Sequence, residues 1–335
     1  MIRMKKWFSL CMGLLLAVLL VVPAFASTGA DGSFGAYEHV IILGVDGAGR
    51  FFGETDTPNF DRIFGNGAVD HKARTETITI SAQNWGSILG GVSYLRHGLT
   101  NDIAGSTERT SDTKYPTIFK YVRAAYPDAE LAAFANWSAI TTGIVETDLD
   151  VTKVQISDDE KLTDAICDYF NEGNAPTLFF GHFDSVDHVG HELGSKAPEY
   201  FDQIKTVDGY IGRVYDALAE NGLADSSLFI VVSDHGHTIR GGHGGLTMRE
   251  TNTVVAAAGK TVVKGGQFDR DTRNRDVSAI ALYALGVERP DYMSSRVPAN
   301  LFNGVAGEKR SVKNEWADTI LSKLAWIVTL CTAWI

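Results

Sequence analysis

Short apolar, β-branched runs alternate with helical patterns along most of this 335-residue chain, and that alternation leaves few folds open. Val40-Ile41-Ile42-Leu43 reads as a buried strand, and residues 130–135, 177–181, 228–232 and 254–258 read as further ones. The β-branched stretch 75–80 reads as one more. Helical patterns fall between them: a short one opening at Thr57-Pro58, then 81–89, 116–126, 158–170, 197–219 and 276–285. This spacing predicts an α/β fold with a largely parallel central sheet and helices on both faces, three layers in all. The polar segment 101–114, rich in Thr and Ser, reads as a long surface loop over the upper edge of the sheet.

The N-terminus stands apart. Arg3, Lys5 and Lys6 precede an uncharged stretch that closes on Ala24-Phe25-Ala26, the pattern of a signal peptide cut before Ser27. Its rival is an uncleaved anchor of similar length. The signal peptide is therefore set at residues 1–26, a catalytic domain at 27–306 and a tail at 307–335, with a secreted or extracytoplasmic location expected. The tail is amphipathic and ends in an uncharged run too short to span a bilayer. It fits either a last helix docked on the domain or a weak membrane-surface contact through Trp326 and Trp334. The formal charge of −11 excludes binding to a nucleic-acid duplex, which needs a basic face. Three cysteines build no disulfide framework, and pairing of Cys167 with Cys331 stays open.

In an open parallel sheet, ligands bind beyond the carboxyl ends of the strands. Asp46 follows the first expected strand, Ser81 the 75–80 stretch, Asp184 and Asp187 the 177–181 strand, and Asp234-His235 the 228–232 strand. Asp187 and His191 lie four apart, so a helical segment brings both side chains to one metal. His243 sits in Gly241-Gly242-His243-Gly244-Gly245, a loop with no packing need for an imidazole. Asp46, Asp187, His191, Asp234, His235 and His243 form a mixed Asp/His set that suits zinc, manganese or iron better than calcium or magnesium. Asp184 ranks behind Asp187, as a helix cap or a partner of a ligand. His182 faces either the site or a loop carbonyl. His188 and His237 are expected to support ligands or face solvent, and His39, His71 and His97 to be structural.

Val45-Asp46-Gly47, Thr57-Pro58-Asn59, the Ser81 segment ending in His97-Gly98, Asp187-x-x-x-His191, Ser233-Asp234-His235-Gly236 and His243-Gly244 together resemble the alkaline phosphatase superfamily. The type I phosphodiesterase/nucleotide pyrophosphatase branch is the nearest in order and spacing. The resemblance implies an alkaline-phosphatase-like fold and two divalent metal ions, most often zinc, with manganese an alternative. Asp187, His191 and His243 would hold the first ion. Asp46, Asp234, His235 and Ser81 would hold the second, with Ser81 as nucleophile at a helix N-terminus. The branch's phosphate-binding Asn falls at Asp102 by strict spacing, with Asn101 beside it, and Asn84 is a second candidate oxyanion donor. The branch usually carries Thr as nucleophile, and Ser81-Ala82 resembles the phosphomonoesterases instead.

The expected activity is thus that of an exported two-metal phosphoric ester hydrolase acting on a small phosphate ester. The path is attack by Ser81, a phosphoseryl intermediate, and hydrolysis. A phosphomonoesterase of the same superfamily is the alternative within the class. A non-catalytic surface binding protein on the same fold is the alternative outside it. Trp137 either packs at a domain edge or offers an aromatic face to a leaving group.

Overall fold

The computed structural model describes residues 32–309 except Gln267. Among these residues, seven strands form one sheet: β1 (His39–Val45), β2 (Ala68–Arg74), β3 (Leu131–Ala135), β4 (Thr152–Gln155), β5 (Leu178–Phe183), β6 (Ser227–Val232) and β7 (Asn252–Ala258). Their order across the sheet is β2-β7-β6-β1-β5-β3-β4. The pairs β1–β5, β1–β6, β3–β5 and β3–β4 are parallel, while β7 runs antiparallel to both β6 and β2. The largely parallel sheet is therefore present, with one reversed strand near its edge.

Among the described residues, ten α-helices accompany the sheet: α1 (Pro58–Phe64), α2 (Ser81–Gly90), α3 (Tyr94–His97), α4 (Asn101–Ser106), α5 (Ile118–Ala125), α6 (Asp159–Asn171), α7 (Ser185–Leu193), α8 (Pro198–Glu220), α9 (Met248–Thr251) and α10 (Asp276–Ala284). Strand side chains alternate between two cores. Val40, Ile42, Leu178, Phe180, Leu228 and Ile230 pack with residues of α2, α5 and α10 on one face. Ile41, Leu43, Phe179, Phe229 and Val231 pack with α1, α6 and α8 on the other. Strands buried on both faces must be apolar throughout, which is why β1, β5 and β6 read as continuous runs rather than alternating ones. Each such fully buried side chain contributes on the order of 1.5–3 kcal/mol.

Two local expectations are corrected, and a further edge strand is added. Residues 75–80 are not a strand: Asn84 of the following helix takes one of their N–H groups and two of their carbonyls. Asn84 accepts the Glu76 N–H through Oδ1 at 2.9 Å and donates through Nδ2 to the carbonyls of Ile78 and Ile80 at 3.0 and 3.1 Å. The strand of this region lies one step earlier, at β2. Second, residues 101–114 are not a continuous loop. The Thr100 side chain accepts from the Ile103 N–H at 3.2 Å and starts α4 at Asn101. The polar edge strand β4 gives no apolar signal and was not foreseen.

The signal-peptide segment 1–26, Cys331 and the tail beyond residue 309 lie outside the described residues. Glu308 is tied to the domain, accepting from Arg289 Nη1 at 2.5 Å and from the Val297 N–H at 3.3 Å. Among the described residues Cys167 is a free, half-buried thiol, and no helix is long and apolar enough to cross a membrane.

Candidate active site

The parallel strands β1, β5 and β6 end side by side, so the residues that follow them meet at one edge. Asp46 follows β1, where its N–H donates to the Phe183 carbonyl at 2.9 Å. Asp184 follows β5 and opens α7, which carries Asp187 and His191 one turn apart. Asp234 and His235 follow β6. Ser81 arrives differently, at the first position of α2 after the irregular 75–80 segment.

Among the described residues, four overlapping Asp/His groups result that are close enough to hold an ion, one of them Asp46–His182–Asp184, and two of them are the expected clusters. In the first, His191 Nε2 lies 3.4 Å from Asp187 Oδ2, and His243 Nε2 lies 3.6 Å from Asp187 Oδ1 and 3.0 Å from His191 Nε2. In the second, His235 Nε2 lies 3.1 Å from Asp234 Oδ2, 3.4 Å from Asp46 Oδ1 and 3.2 Å from Ser81 Oγ. The imidazoles of His235 and His243 stack with centroids 3.7 Å apart, so the clusters adjoin. Each offers three ligand atoms close enough together to hold one ion.

Several observations fit cations at these positions. Asp46 Oδ1 and Asp234 Oδ2 are buried and complete no hydrogen bond. His243 Nδ1 donates to the Thr79 carbonyl at 2.5 Å, which leaves the Nε2 lone pair facing the first cluster. Burial and the charges of Asp46 and Asp187 hold the Asp234 carboxyl well above the ordinary carboxylate range. Burial and the Asp46 charge push Asp184 up to about 7. Burial, reinforced by His243, holds His235 well below its ordinary value. Burial also opposes ionisation of Asp187, but its bond from His237 and the charges of His237, His243 and His191 outweigh that and lower it. Four carboxylates converging on one buried region call for positive charge, and the Asp/His donor set suits divalent metal ions.

Not every expected residue fits its role. Asn84 is corrected: it is fully buried, both its N–H groups serve the Ile78 and Ile80 carbonyls, and its Oδ1 also accepts from Asn274 Nδ2 at 3.2 Å. Nothing is left to donate to an oxyanion. Asn101 accepts the Ala82 N–H through Oδ1 at 3.0 Å, which places its amide at the first turn of α2. Its neighbour Asp102 lies on the exposed side of α4. His237 does not face solvent; it is buried, with Nε2 2.9 Å from Asp187 Oδ1, and it too could share an ion with Asp187 and His235. His188 is exposed beside Glu192 at 3.4 Å. His182 is buried and lies 3.1 Å from Asp46 Oδ2. Trp137 is half-buried against the core, its ring 6.4 Å from that of His182.

One site residue escaped the sequence reading. Trp85 donates through Nε1 to Asp46 Oδ2 at 2.8 Å. The available signal was its position, four after Ser81 and so on the same face of the helix.

The model of the type I phosphodiesterase/nucleotide pyrophosphatase family matches residues 40–292, which includes every residue of both clusters. GPI ethanolamine phosphate transferase 3 of Schizosaccharomyces pombe is 36% identical over 97 residues, covering 29% of this chain and 10% of that protein. Ectonucleotide pyrophosphatase/phosphodiesterase family member 7 of Rattus norvegicus is 36% identical over 77 residues, covering 22% of this chain and 17% of that protein. The chain thus matches less than a fifth of the length of these curated relatives. Among solved structures, murine ectonucleotide pyrophosphatase/phosphodiesterase 5 superposes with a TM-score of 0.61 at 15% identity, over 75% of this chain and 96% of that one. The phosphonate monoester hydrolase of Silicibacter pomeroyi superposes with a TM-score of 0.61 at 14% identity, over 77% and 75%. With the family match spanning most of its length, the chain belongs to the type I phosphodiesterase/nucleotide pyrophosphatase family of the alkaline phosphatase superfamily.

Proposed function

We propose that this protein is an exported phosphoric ester hydrolase of the phosphodiesterase type, with Ser81 as nucleophile. The observation that carries the reading is the place of Ser81: at the first turn of α2, with Oγ 3.2 Å from His235 Nε2 and beside the Asp46–Asp234–His235 cluster. A murine relative of the same fold is known in an inactive form with AMP, which supports a small phosphate ester as substrate. Export follows from the signal-peptide pattern at residues 1–26.

Asp187, His191 and His243 would hold one divalent ion, and Asp46, Asp234 and His235 with Ser81 the other, zinc being favoured by the donor set. Bound there, such ions supply Lewis-acid charge stabilisation for phosphoryl transfer. The chain does the rest. Helix α2 aims Ser81 at the substrate from an end that carries partial positive charge. Asn101 steadies that end through the Ala82 N–H and keeps its Nδ2 hydrogens for a phosphoryl oxygen. Attack forms the Ser81 Oγ–P bond and breaks the bond to the leaving alcohol, which takes a proton as the seryl proton is lost. Water then displaces the serine and restores its hydroxyl.

The test compares bis-p-nitrophenyl phosphate with p-nitrophenyl phosphate on purified protein, with chelator and with Ser81→Ala. Faster diester release, lost in both the chelated protein and the variant, supports the reading. Preference for the monoester moves the protein to the phosphomonoesterase alternative. Undiminished turnover by Ser81→Ala refutes the nucleophile.

A further inference from the structure

Asp46 uses its two oxygens very differently. Oδ2 receives the Trp85 indole N–H at 2.8 Å and faces His182 Nε2 at 3.1 Å. Oδ1, equally buried, makes no hydrogen bond and faces the His235–Asp234 cluster. An indole nitrogen can only donate, so the direction of the Trp85 bond is unambiguous. With Nε2 of His182 as a second donor, both lone-pair directions of Oδ2 are occupied and Oδ1 alone remains for a cation.

The indole is held in turn. It meets Phe180 edge-on at 5.6 Å and His182 at 5.0 Å between centroids. Gly44 in β1 leaves the room for it: a Cβ there would lie 2.7 Å from Trp85 Cζ3 and closer still to Cη2. Gly44 is not among the glycines with positive φ, so the indole rather than backbone conformation accounts for it. Trp85 lies one turn beyond Ser81 on the same helix, so a single rigid element carries both the nucleophile and the donor that orients Asp46.

We infer that Trp85, together with His182, is a positioning residue that locks Asp46 as a one-oxygen ligand of the cluster containing Asp234 and His235, and that His182 acts as a donor rather than as a ligand of an additional ion. This rests on the reading of the site as one that holds two cations. Loss of a partner that orients a ligand typically weakens metal affinity 10–100-fold.

The test uses the full chain with zinc as probe in two backgrounds. Asp187→Asn isolates the Asp46 cluster, and Asp234→Asn isolates the Asp187 cluster. Trp85→Phe keeps a buried ring and removes the N–H. The zinc dissociation constant is expected to rise 10–100-fold in the first background and stay unchanged in the second. Gly44→Ala, which displaces the indole, is expected to reproduce the selective loss. His182→Gln, which retains a donor, is expected to lose less than His182→Ala. Unchanged zinc affinity in the first background, or equal losses in both, overturns the assignment. So does loss of a third zinc ion on His182→Gln, which would make His182 a ligand. A wild-type chain that binds no zinc at all refutes the two-cation reading itself, and this assignment with it.

Discussion

The 75–80 segment that leads into Ser81 is pinned by a buried ion pair, and its loss has a calculable cost. Glu76 Oε1 accepts from Arg275 Nη1 at 3.0 Å, with side chains 2% and 0% exposed. Glu76→Gln keeps the shape and removes the charge, so the buried Arg275 guanidinium loses this carboxylate from its surroundings. Breaking such a pair from one side costs up to about 3–5 kcal/mol, because the remaining charge stays buried. At about 2.1 cal/mol/K of unfolding entropy per residue, a chain of this size loses about 1.5 °C in melting temperature per kcal/mol, so thermal unfolding should occur up to roughly 4–8 °C lower. The control is the exposed pair Arg62–Asp216, at 2.8 Å with side chains 43% and 53% exposed. Asp216→Asn there should cost under about 1 kcal/mol. Melting followed by circular dichroism compares the two. A Glu76→Gln shift no larger than that of Asp216→Asn would refute the reasoning that burial, and not pairing as such, sets the cost.

Two further outcomes follow from single residues. His97 Nδ1 accepts the Leu99 N–H at 3.1 Å and Nε2 faces the Gln83 carbonyl at 3.2 Å, a pattern that requires neutral imidazole. Burial, aided by the Arg109 charge, pushes its pKa down to about 3. The lowered value means that His97 contributes full stability above its unfolded pKa of about 6.5, and that this is lost as pH falls from there toward about 3. Stability should drop by at most about 1.4 kcal/mol per pH unit in that window, and by less where solvent reaches the ring. Urea unfolding at about pH 7 and about pH 5.5 should show a smaller difference in His97→Gln than in wild type; equal differences would exclude His97 as the source. Gly47 has φ +69°, and a Cβ there would lie 2.7 Å from both Asp187 Cα and His237 Nε2. Gly47→Ala should therefore push α7 away from β1 and cut phosphodiester turnover at least about tenfold, a shift of about 1.4 kcal/mol in the barrier. Wild-type turnover would show that the loop yields without moving Asp187.

The parts of the fold that were legible in the sequence are those where one physical demand dominates. β1, β5 and β6 are buried on both faces and so had to be apolar throughout, and the polar residues directly after them stood out against that background. Asp46 and Asp234 were visible for this reason, and Asp187 by its helical spacing from His191. What stayed hidden depends on side chains answering distant partners. Residues 75–80 carry the composition of a strand, yet Asn84 captures their carbonyls. Asn84 itself looked free for chemistry because a polar residue on the first turn of a helix gives no sign of what it binds. β2 is an edge strand bearing Asp70, His71 and Lys72, and the edge tolerates polarity that a central strand cannot. His237 read as either a support for a ligand or a solvent-facing residue; Gly47 and Gly190 clear the space that lets it reach Asp187, and spacing along the chain does not reveal that cradle.

The most direct test of the two-cation site is elemental analysis of purified protein beside its Asp187→Asn and Asp234→Asn variants. The geometry predicts about two divalent ions per wild-type chain and about one in each variant, since each carboxylate serves a different cluster. Wild-type protein without bound metal, or variants that keep the full complement, would contradict it.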